Sequence, residues 1–172
     1  MIKPDPALIP EFYKGYVKHT EHLDMMQALQ QGGAAMMAFV RTIPEEKGEY
    51  RYAPGKWSVK ELLCHLMDAE RIFTYRALRF AREDKTSLPG FEENDYAPRA
   101  NAHARSISIL ADEMQRLRAT TIDLFNSFTP AMLEASGIAN NNLISVKNIG
   151  FVIAGHEVHH RLVLQQRYFM TL

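Results

Sequence analysis

Apolar side chains recur at helical spacing along four long stretches of this chain, which predicts four amphipathic helices. The first stretch lies at about residues 21–42, after a shorter helical segment at about 7–18. The second begins at Ser58-Val59-Lys60-Glu61, which matches a capping box. The third spans about 102–128, and the fourth runs from near Ser145 almost to the end of the chain. No run alternates apolar and polar residues convincingly enough to predict a strand.

The pattern predicts an all-α fold, a four-helix bundle that forms a single domain over residues 1–172. The connection at about 83–100 is long and rich in Pro, Gly, Asp and Asn, so it allows a crossover topology instead of a simple up-and-down order. Gly32 and Gly33 interrupt the first apolar stretch, and we expect close packing against a neighbour or a kink there.

The composition narrows the class of protein. Twenty basic residues balance twenty acidic ones, so nothing predicts binding to nucleic acid or to an anionic membrane. The single cysteine, Cys64, excludes an intramolecular disulfide and fits a reducing compartment. The N-terminus has no apolar core of signal-peptide length, and no uninterrupted apolar stretch approaches the roughly 20 residues that span a bilayer. We therefore expect a cytoplasmic protein.

The most informative motif is the run His156-Glu157-Val158-His159-His160 in the fourth predicted helix. His156 and His160 lie one helical turn apart within the apolar arc, so they can share one metal ion. His65, near the edge of the buried arc of the second helix, could supply a third ligand and leave one position open for water or substrate. The alternative is that these histidines are hydrogen-bonded core residues without a metal.

Two glutamates on the inner helix faces are weak candidates for catalysis. Either Glu70 or Glu157 could accept a hydrogen bond from a metal-bound imidazole or carry a proton. Alternatively, each forms an ion pair with an arginine such as Arg71, Arg76 or Arg161. The histidine run also matches H-E-x-x-H, but the last 12 residues contain no His, Asp or Glu as a third ligand, which argues against a zinc peptidase.

Three segments resemble the DinB-like (YfiT-like) superfamily. Residues 55–70 (GKWSVKELLCHLMDAE) look like the start of the second helix of that family. Residues 155–161 (GHEVHHR) resemble the signature on its last helix, and residues 88–96 (LPGFEENDY) are similar to the connecting loop of one subgroup. The three segments follow the order and spacing of the family, and the resemblance covers essentially the whole chain.

The resemblance implies a four-helix bundle with a crossover, often a homodimer, in which three histidines hold a divalent metal ion such as nickel or zinc. Carried over by motif, the ligands are His65, His156 and His160, whereas His159 is a neighbour. If the chain pairs with a second copy, the Met-rich first long helix is a candidate interface.

Family members of known chemistry include thiol-dependent transferases and an isomerase that uses a thiol. The leading hypothesis is therefore a metal-dependent S-transferase that joins a low-molecular-weight thiol to small electrophiles. The alternatives are a hydrolase that uses a metal-bound water and a stress-associated metal-binding or interaction domain without turnover. The loop at 91–99 could form a substrate wall, and Arg99 or Arg161 could meet a substrate carboxylate.

Overall fold

Four long helices form the body of the protein in the computed structural model, which describes residues 1–169. Its helices and strands are α1 Glu11–Val17, α2 Met25–Val40, α3 Val59–Ala81, α4 Glu93–Tyr96, α5 Ile107–Asn126, α6 Pro130–Glu134, β1 Ser136–Ala139, β2 Asn142–Ser145 and α7 Val146–Val163. Short 3₁₀ turns lie at Pro6–Leu8, Glu45–Lys47, Ala97–Arg99 and Ala102–Ala104, and a π-helical turn, Leu164–Tyr168, continues α7. The prediction of one domain extends to residue 172, and residues 170–172 lie outside the described residues.

Polar side chains start the long helices where the sequence predicts. The capping box at α3 is confirmed: the Ser58 hydroxyl accepts from the Glu61 amide at 3.2 Å, and the Glu61 carboxylate accepts from the Ser58 amide at 2.7 Å. Asp24 and Gln27 form a second capping box at α2. Ser145 caps α7, which begins where the sequence predicts. Each cap satisfies amides that would otherwise lack a partner at the helix start.

The helix α2 packs against α5 and α7. Arg41, just after the end of α2, forms an ion pair with Asp112 near the start of α5, so these two helices are antiparallel. Met25, at the start of α2, packs beside Gly150 near the start of α7, so these two helices are parallel.

The helix α3 also packs against α5 and α7. Arg105, just before α5, contacts Cys64 near the start of α3, so α3 and α5 are parallel. His65, near the start of α3, meets His160 near the end of α7, so α3 and α7 are antiparallel. The successive helices α2 and α3 therefore lie diagonally across the bundle, as do α5 and α7. The predicted crossover is confirmed, and the connection at 82–106 returns along the bundle.

The prediction that the chain contains no strand is wrong. The strands β1 and β2 form an antiparallel hairpin in which Ala139 pairs with Asn142. The turn residues Asn140 and Asn141 have φ values of 49° and 61°. Two central residues with positive φ make the type I′ turn that suits a two-residue hairpin loop. Leu88 of the long connection pairs with Ala139, so the hairpin also holds that connection against the bundle.

The bundle core consists of two apolar clusters, one toward each end. One contains Phe80 and Phe151, and the other contains Leu63 and Leu110. Between them lie buried histidine, glutamate and arginine side chains from α3, α5 and α7. No helix within residues 1–169 has both the length and the apolar character needed to cross a membrane.

Candidate metal centre

Two antiparallel helices bring three histidines together. Helix α3 supplies His65, and α7 supplies His156 and His160 from successive turns of one face. One ring nitrogen from each histidine lies within 4.8 Å of those of the other two. The closest pair is His65 Nε2 and His156 Nε2, which are 3.1 Å apart. The structure therefore places the three predicted side chains at one point.

Burial keeps these imidazoles neutral. It lowers the pKa of His65 to about 4. Burial, followed by the nearby His65 and His159, lowers the pKa of His160 to about 3. Burial and the neighbouring histidines also hold the pKa of His156 well below its ordinary value. A neutral imidazole has a free lone pair, which is the form that binds a metal ion.

The donor set fits a divalent metal ion. The Nδ1 atom of His160 is buried without a hydrogen-bond partner among the described residues. The facing Nε2 atoms of His65 and His156 both offer lone pairs to one point unless one of them carries a proton. Imidazole nitrogens are ligands that suit zinc and nickel. Three such ligands leave a coordination position open, as in catalytic zinc sites.

The three histidines lie on the wall of a cavity of about 420 Å³, which we call the main cavity. Its other lining residues are mostly aromatic; the full set is Phe12, Tyr13, Tyr16, Trp57, Ala69, Phe73, Arg76, Phe91, Glu92, Glu93, Asn140 and the three histidines. The Trp57 ring centroid is 4.7 Å from that of His65, and the Tyr16 ring centroid is 5.1 Å from that of His156. This volume suits a small organic molecule.

Helix α1 reaches this site because Gly155 has no side chain. A Cβ at Gly155 would overlap the carbonyl oxygen of Tyr16 and would lie 2.5 Å from its carbonyl carbon. The backbones of α1 and α7 therefore touch one residue before His156. This contact places the Tyr16 ring edge-on against His156.

Glu70 and Glu157 share one buried arginine behind the histidines. Arg118 Nε and Nη2 donate to the two carboxylate oxygens of Glu70, each at 2.9 Å, and Arg118 Nη1 donates to Glu157 at 2.8 Å. The predicted alternative of ion pairing is therefore confirmed, but the predicted partners Arg71, Arg76 and Arg161 are wrong. The partner comes from α5.

This cluster of Glu70, Arg118 and Glu157 lies apart from the main cavity. A separate space of about 10 Å³ lies between the cluster and His156. Burial raises the pKa of Glu157, although the charge of Arg118 opposes the shift. Burial disfavours the guanidinium charge, but the two carboxylates more than compensate and raise the pKa of Arg118. A catalytic role for either glutamate would act through His156 and stays a prediction.

The glycine pair in α2 makes room for the same cluster. A Cβ at Gly32 would lie 3.3 Å from Oε2 of Glu157, and one at Gly33 would lie 3.0 Å from two atoms of Arg118. Arg118 Nη1 also donates to the carbonyl of Leu29 at 3.0 Å. The predicted close packing at these glycines is confirmed, and α2 continues through them without a break.

The long connection contributes only part of the predicted wall. Phe91, Glu92 and Glu93 line the main cavity, whereas residues 94–99 do not. Arg99 is exposed and donates to the carbonyl of Asp95 at 2.7 Å. Neither Arg99 nor Arg161 lines the main cavity, so the structure does not support the predicted contact of either with a substrate carboxylate.

Several other residues that line the main cavity were not predicted from the sequence. The main cavity is also lined by Trp57, Phe73, Arg76 and three aromatic residues of α1, and Asn140 reaches it from the hairpin turn. Phe73 and Arg76 could have been found from the sequence, because positions 73 and 76 lie on the same helix face as His65. His159 lies outside the three-nitrogen group, beside Tyr16 at 5.2 Å between ring centroids.

Comparisons with known proteins agree with this geometry. A family model described as the DinB superfamily matches residues 28–164. A protein of Geobacillus thermodenitrificans (strain NG80-2), named "Putative metal-dependent hydrolase", is 27% identical over 108 residues, which are 63% of this chain and 61% of that protein. This match thus spans less than two thirds of the relative's length.

A solved structure shares the fold. YfiT from Bacillus subtilis, described as a probable metal-dependent hydrolase with an unusual four-helix bundle topology, superposes with a TM-score of 0.74. The match covers 96% of this chain and 90% of that one at 16% sequence identity. At this level of identity the likeness establishes the four-helix bundle and its topology alone.

Proposed function

The chain belongs to the DinB superfamily, and from this premise we propose that it is a metal-dependent hydrolase. Its divalent ion would be held by His65, His156 and His160. The observation that carries the proposal is the grouping of three neutral imidazoles, with nitrogens within 4.8 Å of one another, on the wall of a cavity of about 420 Å³. The name of the Geobacillus relative supports hydrolysis as the class of reaction.

The side chains around the histidines prepare the site for this chemistry. When bound, a divalent ion polarises a substrate carbonyl and lowers the pKa of water toward about 7. Packing of Trp57 against His65 and of Tyr16 against His156 restricts the orientation of both imidazoles. Burial, then the charge of Glu93, raises the pKa of Tyr16, so its hydroxyl stays protonated at neutral pH and can donate to a substrate oxygen.

A low-molecular-weight-thiol-dependent S-transferase is the second candidate. The size of the main cavity favours it, because about 420 Å³ leaves room for a thiol beside a small electrophile. The same three histidines would hold the ion, nickel or zinc, that lowers the pKa of the thiol. A non-catalytic metal-binding domain is less favoured, because the histidines face an open cavity of substrate size.

The first experiment is metal analysis of purified, tag-free protein by mass spectrometry. We expect close to one nickel or zinc ion per chain in the wild type and none in His156→Ala. The matched control is His103→Ala, which removes an exposed histidine outside the cluster and should leave the metal content unchanged. No metal in the wild type, even after incubation with either ion near neutral pH, would refute the proposal.

Turnover assays on the metal-loaded protein then separate the two reactions. Hydrolysis of a panel of activated esters and amides without added thiol, lost in His156→Ala, supports the hydrolase. Consumption of an electrophile such as monochlorobimane only when cysteine is present supports the S-transferase. If neither reaction depends on His156, the site is not the catalytic centre.

A further inference from the structure

Arg76 is a buried cation on the wall of the main cavity. It is 3% exposed, and it lies on the same face of α3 as His65 and Phe73. Arginine is almost never buried without a partner of opposite charge, because removing the charge from water is costly. The groups around Arg76 therefore indicate whether this part of the cavity provides a partner for its charge or leaves that place to a ligand.

Within residues 1–169 no carboxylate lies within 4.0 Å of the Arg76 guanidinium. Its Nη2 atom donates to the carbonyl of Pro89 at 2.8 Å, and its Cζ atom lies 5.7 Å from the ring centroid of Phe73. Tyr13 is also near, since the charge of Arg76 opposes the rise in the pKa of Tyr13 that burial causes. All these partners are neutral. Arg118, the other buried arginine of the bundle, has two carboxylates.

The position of Arg76 relates it to the histidines. The Phe73 ring lies near both, with its centroid 6.4 Å from that of His156 and 5.7 Å from the Cζ atom of Arg76. Arg76 follows His65 by eleven positions, which corresponds to about 16 Å along the helix axis. Helical side chains lean toward the helix start, so Arg76 leans toward the histidines. A molecule in contact with both groups would lie along the aromatic wall.

We propose that Arg76 binds a carboxylate of the substrate, so that the substrate is a small monoanion with an apolar or aromatic middle part and a reactive group at the three histidines. The position of the reactive group rests on the proposed function, whereas the carboxylate site does not. The planar guanidinium offers paired N–H groups that match a carboxylate. Glu92 and Glu93 line the same cavity and repel anions more strongly the higher their charge, so a monoanion is favoured over a phosphate dianion.

Arg76 also has a structural contact, and the test must separate the two roles. Its bond to the Pro89 carbonyl ties the long connection to α3, so loss of the side chain could loosen that wall. A purely structural role would affect charged and neutral ligands alike. Selective loss of anion binding is the result that only a carboxylate site predicts.

The experiment uses the fluorescence of Trp57, the only tryptophan of the chain, which lines the main cavity. The probes are 3-phenylpropionate and its neutral isostere 3-phenylpropionamide, titrated into nickel-loaded protein and into chelator-treated protein. The variants are Arg76→Gln, Arg76→Lys and the matched control Arg116→Gln, which removes an exposed positive charge outside the cavity. Circular dichroism establishes that each variant is folded.

We expect the wild type to bind the carboxylate at least tenfold more tightly than the amide, with or without nickel. Arg76→Gln should abolish this preference and leave amide binding unchanged, Arg76→Lys should keep part of it, and Arg116→Gln should match the wild type. Equal affinity of the wild type for both probes, or no response to either at millimolar concentration, overturns the proposal whatever the variants do.

The carboxylate site and the proposed function can fail separately. A preference for the carboxylate that requires nickel and survives Arg76→Gln means that the anion binds the ion, which overturns the role of Arg76 but agrees with the metal site. A preference that depends on Arg76, in a protein that takes up neither nickel nor zinc when incubated with them, supports the carboxylate site and refutes the hydrolase.

Discussion

Replacement of Arg118 by Met tests the account of the buried polar cluster. Methionine fills a similar volume but removes the three hydrogen bonds to Glu70 and Glu157. Two carboxylates that are 10% and 6% exposed then face each other without a cation. Breaking a buried ion pair by removing one partner costs about 3–5 kcal/mol. We expect the free energy of unfolding of Arg118→Met at pH 7.5 to fall by that amount.

The loss should shrink as the pH falls. Without Arg118, burial and the charge of Glu70 raise the pKa of Glu157 with no cation to oppose them, so it lies above the value in the unfolded chain, about 4.3. The folded variant then binds more protons than its unfolded state, so acid favours folding of the variant relative to the wild type. Groups far from Arg118 contribute alike to both proteins and cancel in the difference. His156, which borders the cluster, shifts in the same direction, because the uncompensated carboxylates favour its charged form.

The assay is urea denaturation of chelator-treated protein at pH 7.5 and pH 5.0. The matched surface control is Arg116→Met on the same helix, which should change the stability by no more than about 0.5 kcal/mol. A second control, Arg118→Met with Glu70→Gln and Glu157→Gln, removes the buried charges and should be more stable than the single variant at pH 7.5. A loss of less than about 1 kcal/mol in the free energy of unfolding of Arg118→Met at pH 7.5 would contradict the expected cost of breaking a buried ion pair. A loss that is the same at both pH values would contradict the expected change with pH.

Three further results are expected. The free energy of unfolding of chelator-treated protein should fall as the pH drops below 6.5, by up to about 4 kcal/mol per pH unit. The reason is that His65, His156 and His160 have lowered pKa values in the folded protein and therefore bind protons more readily in the unfolded chain. A free energy that does not change with pH in urea titrations would contradict this. Nickel at one hundred times its dissociation constant should stabilise the protein by about 2.7 kcal/mol, seen as a raised melting temperature that falls back on chelation. Gly155→Ala should lower the free energy of unfolding, measured by thermal denaturation, by about 1–3 kcal/mol, because α1 must move to make room for the Cβ atom. The control Gly15→Ala, whose Cβ atom would meet open space, should lower it little. Equal effects of the two substitutions would argue against the close contact of α1 and α7.

The bundle could be predicted from the sequence because its signals are local. Apolar spacing marks each long helix, and the caps at Ser58 and Ser145 mark two of the starts. The hairpin could not be predicted in the same way, because each strand has only four residues. The asparagine run at residues 140–142 was the available signal for its turn.

The histidine site could be predicted in part for a similar reason. The spacing of His156 and His160 is a property of one helix, and His65 was a candidate from its place near the buried arc of a second helix, which the family resemblance then supported. The partner of Glu70 could not be predicted, because it depends on which helices are neighbours in a crossover bundle. Arg118 lies in a polar stretch of α5 that resembles a surface, and it is buried by its contacts with α2, α3 and α7. The metal's identity, the thiol, the homodimer and the cytoplasmic location stay predictions.

Two walls of the main cavity come from different parts of the fold. The histidines sit on α3 and α7, whose geometry is set by the bundle core. The facing wall comes from α1, the long connection and the hairpin turn at Asn140, which lie at the periphery. Substitutions in those outer segments can therefore reshape the cavity without moving the three histidines.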